Sequence, residues 1–392
     1  MKKLVRSFVL MPLLALLLVG IPAVVFSFFG STPTAVGQTV PPPTGTVPPT
    51  PRPTARPRPR PMPTAVPPRV PDLRVRANGF LLEKVIGDRQ SATIYGLAFS
   101  GRLFRTEDNG SSWALVTSRP RFESFLMSPA DPYMLYTAEA LVCDGSESSV
   151  SFYRSSDGGV TWEDTDPGMA LYPLLANGAD SALVLAASCN GLYQSTDGGD
   201  SWTPLATDET DPVWEGLVAT RAWAAYFAGD PSDVPTWEVL YIVAEGLDGS
   251  DVILNSIDGG ARWMMITPVA EDIDFDISSL TGDPTSDLRI WFADEAGVWS
   301  TEDGGNLWGL SSQGLANVLA RGLREIEHHP NEILLLATGR GLYSKATDET
   351  QWTTLGTGIF LRLNISDLLF TDSRDTRIWL NTPNGVYVYT LR

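Results

Sequence analysis

Five short segments of the chain place a hydroxyl, a carboxylate and glycine at fixed positions ahead of a tryptophan. They read TEDNGSSW, SSDGGVTW, STDGGDSW, SIDGGARW and TEDGGNLW, with the pairs Asp108 and Trp113, Asp157 and Trp162, Asp197 and Trp202, Asp258 and Trp263, and Asp303 and Trp308. Carboxylates of this kind could ligate a metal or act as catalytic acids. An active site is built once, however, and near-equivalent repeats favour a structural role. An Asp-Gly pair between apolar runs is typical of a β-hairpin turn.

The elements that position these segments follow from their spacing. An aromatic or leucine residue stands nine positions before each tryptophan, and the same spacing holds from Tyr343 to Trp352, where the glycines are missing. We therefore expect six hairpins of one length, here called the box hairpins. Their aspartates lie 40 to 61 residues apart, and periods in the forties are typical of propeller blades.

Each period contains the same order of short β-rich runs, which predicts a four-stranded antiparallel blade. Middle strands of one type occur seven times, at residues 93–99, 133–137, 182–187, 239–244, 288–293, 333–337 and 377–381. The fold class is therefore all-β, a single β-propeller of about seven four-stranded blades, with six or eight as alternatives. The chain stops before a last outer strand, and we expect residues 79–85 to supply it and close the ring.

The Ser/Thr-x-Asp-Gly-Gly-x-x-Trp segments resemble the Asp-box, or bacterial neuraminidase repeat, over residues 79–392. The resemblance implies a propeller and does not specify a function, since similar boxes occur in sialidases, xyloglucan-cleaving glycosidases, sortilin-type receptors and photosystem II assembly factors. The sequence of residues 191–199, GLYQSTDGG, is most similar to the repeats of the assembly factors. Sialidases hold a carboxylate with three arginines, whereas xyloglucan-cleaving relatives use two propellers, and this chain has room for one.

The candidate binding residues lie away from the box hairpins. Loops of an antiparallel blade alternate between two faces, so insertions at 138–149, 245–251 and above all 206–221 share the opposite face. Loops on a rigid scaffold commonly carry binding residues. The candidates in or beside the longest insertion are Trp214, Glu215, Arg221, Trp223 and Trp237. The tryptophans would suit a sugar or protein contact if exposed, and otherwise pack the loop down.

Four arginines precede predicted first strands, which line the channel of a propeller. Arg121, Arg221, Arg321 and Arg362 could form a basic ring for an anionic ligand, or could be a coincidence among the arginines of the body. No catalytic residue can be named from the sequence, so enzymatic activity is the less favoured reading and would be glycoside hydrolysis. No cofactor or metal site is expected, because His328 and His329 lack further ligands nearby.

The first 76 residues differ in composition from the rest. Lys2, Lys3 and Arg6 precede an uncharged apolar run at 8–29, long enough at about 33 Å to cross a bilayer. We expect residues 1–30 to be a signal anchor, or alternatively a cleaved signal peptide, followed by a Pro/Arg/Thr-rich extended and disordered linker at 31–76 and a propeller at 77–392. The predicted location is the cell membrane, single-pass, with the propeller extracytoplasmic; secretion is the alternative.

The charge distribution and the two cysteines limit which partners and which cellular compartment are expected. Residues 1–76 carry a net charge of +9 and the remainder −27, and an acidic body disfavours nucleic acid. Cys143 and Cys189 both follow second strands of adjacent predicted blades, so in an exported protein they predict a disulfide, with two free thiols as the alternative. The sequence thus predicts a tethered propeller that binds a protein or surface glycan as a scaffold, with a sialidase-like glycoside hydrolase as the alternative.

Overall fold

The computed structural model describes residues 74–75, 82–87, 93–108, 110–117, 124–139, 141, 143, 151–225, 237–246, 248–268, 274–283, 286–315, 323–329, 333–355, 362–370 and 377–390. These form seven four-stranded antiparallel sheets, and neighbouring innermost strands contact one another in a closed cycle. The prediction of an all-β propeller with seven blades is confirmed. The predicted anchor and nearly all of the predicted linker lie outside the described residues. Within the described part of the chain, no helix has the length and apolarity needed to span a membrane.

Blades 1 to 4 follow chain order from the channel outwards. Blade 1 comprises β2 (Leu82–Gly87), β3 (Ile94–Ala98), β4 (Leu103–Thr106) and β5 (Ala114–Thr117). Blade 2 comprises β6 (Leu126–Met127), β7 (Leu135–Ala138), β8 (Phe152–Ser155) and β9 (Glu163–Asp164). Blade 3 comprises β10 (Tyr172–Ala176), β11 (Val184–Ser188), β12 (Gly191–Ser195) and β13 (Thr203–Thr207). A 3-10 helix at Pro212–Trp214 leads to blade 4, which comprises β14 (Leu217–Ala225), β15 (Val239–Gly246), β16 (Asp251–Ser256) and β17 (Met264–Met265).

Blades 5 and 6 have the same order, and blade 7 is completed from the start of the body. Blade 5 comprises β18 (Ser279–Gly282), β19 (Ile290–Ala293), β20 (Val298–Thr301) and β21 (Gly309–Leu310). Blade 6 comprises β22 (Leu323–His329), β23 (Ile333–Thr338), β24 (Gly341–Ala346) and β25 (Thr353–Thr354). Blade 7 comprises β26 (Asp367–Phe370), β27 (Arg377–Thr382), β28 (Gly385–Thr390) and, outermost, β1 (Arg74–Val75).

The strand that closes the ring is not the one predicted. Residues 79–85 were expected to pair with the last strand, whereas β1 pairs with it, placing Arg74 opposite Val388. β2 is the innermost strand of blade 1 and pairs with β3. The physical reason is locality: β2 precedes β3 by a short connection and completes that blade at little loop-closure cost. The chain before β2 is left to cover the open edge of blade 7.

The box hairpins use their carboxylates internally. In the box hairpin of blade 3, the Ser195 hydroxyl donates to Asp197 Oδ1 at 2.8 Å and accepts from the Gly199 N–H at 2.7 Å. The Ser201 N–H donates to Asp197 Oδ1 at 2.9 Å. The same three hydrogen bonds occur in the hairpins of Asp108, Asp157, Asp258 and Asp303. These five carboxylates therefore hold turns, as the sequence indicated.

The second glycine of a full box hairpin also contacts the preceding blade. A Cβ on Gly260 would lie 2.7 Å from Leu205 Cγ, and one on Gly305 would lie 2.5 Å from Ile266. The backbone at Gly260 has φ +94°, a conformation that glycine adopts without steric cost. Glycine is needed here both for the turn and for the close approach of two blades.

The sixth hairpin keeps the geometry with different chemistry. Tyr343 pairs with Thr354, as Leu254 pairs with Met265 in blade 4, so the predicted constant length is confirmed. Lys345 stands where the other hairpins have a buried serine or threonine. Its ammonium donates to Ser311 Oγ at 2.6 Å and to the Glu349 carbonyl at 3.1 Å. The buried ammonium thus replaces the hydroxyl and carboxylate of the other hairpins.

Candidate functional site

The blade topology gives the propeller two chemically different faces. The glycine N–H of a box hairpin donates to the turn between the first and second strands of its own blade, as from Gly198 to the Ala182 carbonyl at 2.8 Å and from Gly304 to the Leu288 carbonyl at 3.0 Å. The surface that carries box hairpins and first-to-second turns is called the box face. The second-to-third turns and the links between blades form the other surface, called the link face.

The region 206–221, predicted as the main insertion of the link face, is strand at both ends and contains a link shorter than predicted. β13 continues to Thr207 and β14 starts at Leu217, leaving a link of residues 208–216. The link between blades 4 and 5, at 266–278, is longer. The long interval from Asp197 to Asp258 instead contains two long strands, β14 and β15, which are separated in sequence by residues 226–238. Sequence spacing alone could not distinguish extra strand length from extra loop length.

The tryptophans of this region pack inside the protein. Trp214 is fully buried and meets the Trp263 ring edge-on, with centroids 5.1 Å apart. Trp237 is also buried, and Trp223 is half-buried against Tyr241. Trp214 therefore packs the loop down, which was the alternative expectation for these tryptophans, and its side chain anchors the 3-10 helix to the core. Trp223 has part of its surface accessible, and Glu215 is exposed.

The four arginines can be judged only in part. Arg121 and Arg321 lie outside the described residues. Arg221 lies inside β14, immediately after a register shift, rather than ahead of it, and is exposed. Arg362 is exposed ahead of β26. The basic ring stays a prediction.

A disulfide joins Cys143 to Cys189, the pair expected from the sequence, with Cα atoms 5.4 Å apart. Cys189 lies in the turn between β11 and β12, and Cys143 follows β7, so the bond connects blades 2 and 3 on the link face. This covalent bond fixes the mutual position of the two blades at the link face.

Among the described residues, three carboxyl groups have raised pKa values, and each accepts a backbone hydrogen bond. Burial raises the pKa of Asp251, while the Ile277 N–H at 2.7 Å and the nearby Arg221 oppose the shift. Burial likewise raises the pKa of Asp294, which accepts from Gly297 N–H at 2.8 Å. Burial raises the pKa of Asp367 to about 6, against a 2.9 Å hydrogen bond from the backbone N–H of Val85. All three carboxyl groups hold the backbone of a turn or a neighbouring blade.

A cavity on the box face is a site that the sequence reasoning missed. Its volume is about 640 Å³, and it runs across blades 3, 4 and 5. Ten described residues line it: Leu183, Gln194, Thr196, Trp237, Glu238, Val239, Ile257, Asp258, Gly259 and Asp287. Volumes of this size suit small ligands or single side chains. One sequence signal could have indicated this cavity, namely the long interval from Asp197 to Asp258. Assigning its extra residues to the segment 226–238 would have pointed to the surface beside Trp237 and Glu238.

No protein-family model matches the chain. Its sequence is 24% identical to the xyloglucanase Xgh74A of Acetivibrio thermocellus over 217 residues, which are 48% of this chain and 26% of that protein. A xyloglucanase of Paenibacillus sp. is 23% identical over the same length, or 21% of that protein. The match therefore spans about a quarter of these relatives.

Solved structures share the propeller. The GH74 xyloglucanase of Xanthomonas campestris superimposes with a TM-score of 0.61 at 18% identity, covering 81% of this chain and 53% of that chain. The structure of YCF48 bound to D1 peptide superimposes with a TM-score of 0.58 at 16% identity, covering 82% of this chain and 96% of that chain. YCF48 from Cyanidioschyzon merolae superimposes with a TM-score of 0.56 at 15% identity, covering 81% of this chain and 98% of that chain. At these identities the likeness shows the fold.

Proposed function

We propose that the chain is a membrane-tethered, extracytoplasmic Asp-box propeller that acts as a binding or assembly scaffold for a protein or glycan partner. The observation that carries this proposal is the extent of the structural matches. The superposition accounts for nearly all of YCF48 and for about half of the xyloglucanase. The YCF48 structure holds a D1 peptide. One propeller of this size is thus sufficient to bind a peptide in that protein.

The chemistry of the carboxyl groups supports binding over hydrolysis. A glycosidase acid is kept protonated by its surroundings and faces a partner carboxylate across the sugar. Here the carboxyl groups with raised pKa values, Asp251, Asp294 and Asp367, accept backbone hydrogen bonds inside the fold. The disulfide between blades 2 and 3 fits export to an oxidising compartment.

Glycoside hydrolysis is the second candidate function, favoured by the sequence match to xyloglucanases. The test offers the full chain both xyloglucan and sialosides, together with bacterial surface glycans and an array of peptides, and measures bound ligand and new reducing ends in parallel. We expect saturable binding with no release of sugar. Turnover that is lost on substitution of Arg221 or a carboxylate would refute the scaffold proposal.

The link face is the proposed docking surface for the partner. Glu215 is exposed there, in the link between blades 3 and 4, and charge reversal at this position changes the surface without removing a core side chain. We expect Glu215→Lys to weaken partner binding, while the same kind of change at Asp200, on the opposite face, leaves it unchanged. Protease accessibility on intact cells, compared with N-terminal sequencing of the mature protein, tests the tether against secretion.

A further inference from the structure

We propose that the box-face cavity between blades 3 and 5 is a second binding site, which takes a lysine or arginine side chain from a basic peptide segment. This proposal is independent of the partner site on the link face. It starts from the shape of the cavity, which follows the surface from the β10–β11 turn of blade 3 to the β18–β19 turn of blade 5. An opening of about 640 Å³ has room for one long side chain with its flanking backbone.

The charges that line the cavity are of one sign. Glu238, Asp258 and Asp287 contribute three carboxylates, and none of the described lining residues is cationic. Gln194 and Thr196 add neutral polar groups. Carboxylates placed around a concave surface attract ammonium and guanidinium groups and repel anions.

Two box aspartates, Asp258 and Asp303, lack a hydroxyl donor that the other three have, and of these two it is Asp258 that lines the cavity. In the first three box hairpins a hydroxyl donates to the second carboxylate oxygen, as from Ser201 to Asp197 Oδ2. The corresponding residue in blade 4 is Arg262, which donates its backbone N–H to Asp258 Oδ1 and has no hydroxyl. Asp258 Oδ2 therefore lacks that internal donor at a cavity where a ligand ammonium could supply one.

The rest of the lining suits the aliphatic part of a basic side chain. Leu183 and Trp237 are buried in the wall, and Ile257 is exposed at the rim with 66% of its surface accessible. Lysine and arginine bury their methylene stems along apolar surface while the charged end finds acceptors. A strongly hydrophilic glycan amine would leave Ile257 without a contact, so the lining favours a peptide.

The probe is a fluorescent peptide, Gly-Leu-Lys-Leu-Gly, titrated into the full chain, with Glu and Met replacing Lys in matched peptides. We expect binding of the Lys peptide only, weakened several-fold between 50 and 300 mM salt because exposed charges are screened. Glu238→Gln should weaken it about three- to tenfold, Asp287→Asn similarly, and Ile257→Ser about threefold. Glu107→Gln, in the exposed box hairpin of blade 1 and outside the cavity lining, is the matched control and should have no effect.

Each outcome decides the proposal. Equal binding of the three peptides, or loss of binding with Glu107→Gln and not with Glu238→Gln, overturns the box-face site and leaves the scaffold proposal intact. Tighter binding of a chitosan oligosaccharide than of the Lys peptide would assign the cavity to a glycan and refute the peptide. Unchanged urea midpoints of the variants show that affinity changes do not arise from unfolding.

Discussion

Replacing Gly260 by alanine tests whether the box hairpins wedge adjacent blades together. Gly199 provides a matched control, because both are second glycines of box hairpins with nearly the same backbone, φ +94° and +95°. At Gly199 the nearest atom to an added Cβ is Tyr136 Cε1 at 3.5 Å, an ordinary contact. At Gly260 three atoms of Leu205 lie within 2.8 Å. Comparing Gly260→Ala with Gly199→Ala therefore separates the free-energy cost of backbone strain from that of packing against the neighbouring blade.

The expected magnitudes follow from these two terms. Both alanines carry the strain of a left-handed residue, about 1–2 kcal/mol. Gly260→Ala adds overpacking of about 1–3 kcal/mol, because Leu205 cannot clear the Cβ by rotating its end alone. With a urea slope near 3 kcal/mol per molar, its midpoint should lie ~0.3–1 M below that of Gly199→Ala.

The assay is urea unfolding of the full chain followed by tryptophan fluorescence. In a Leu205→Ala background the excess cost of Gly260→Ala should disappear, as a double-mutant cycle measures directly. Equal urea midpoints for Gly199→Ala and Gly260→Ala would refute a role of Gly260 in the packing of adjacent blades and leave both glycines with a turn role only.

Three further predictions concern the core, the pH dependence of stability and the disulfide. Trp214→Ala should lower the free energy of unfolding by about 3–5 kcal/mol, measured in urea, because the ring is fully buried; a loss below 1 kcal/mol would contradict its place in the core. Asp367→Asn should stabilise the protein above pH 6 by up to about 3 kcal/mol and have little effect at pH 4. The sign follows from the raised native pKa of about 6: the protonated carboxyl favours the native state, and that contribution is lost as pH rises through 6. A constant difference in melting temperature from pH 4 to 8 would contradict it. Thiol titration of the denatured protein should detect Cys143 and Cys189 only after reduction, and two thiols without reductant would contradict the disulfide.

The sequence by itself determined the features that repeat. Turn chemistry at Asp197 and its counterparts, together with the constant distance to the tryptophan, predicted the hairpins, their register and the blade count. The disulfide between Cys143 and Cys189 followed from the same repeat, because it placed both residues at equivalent turns of adjacent blades. Such features depend on local backbone preferences and on pairing within one blade, which the order of residues encodes directly.

The tertiary structure alone decided what depends on contacts between blades. Whether β1 or β2 closes the ring is a competition between two segments for one open sheet edge, and composition does not rank them. Trp214 has the residue type of a binding anchor, and only the position of Trp263 shows that it is core. The interval from Asp197 to Asp258 marked blade 4 as irregular, but its extra length could lie in strands or in a loop on either face. Spatial packing assigns part of it to the box face, beside the cavity that Glu238 and Asp258 line.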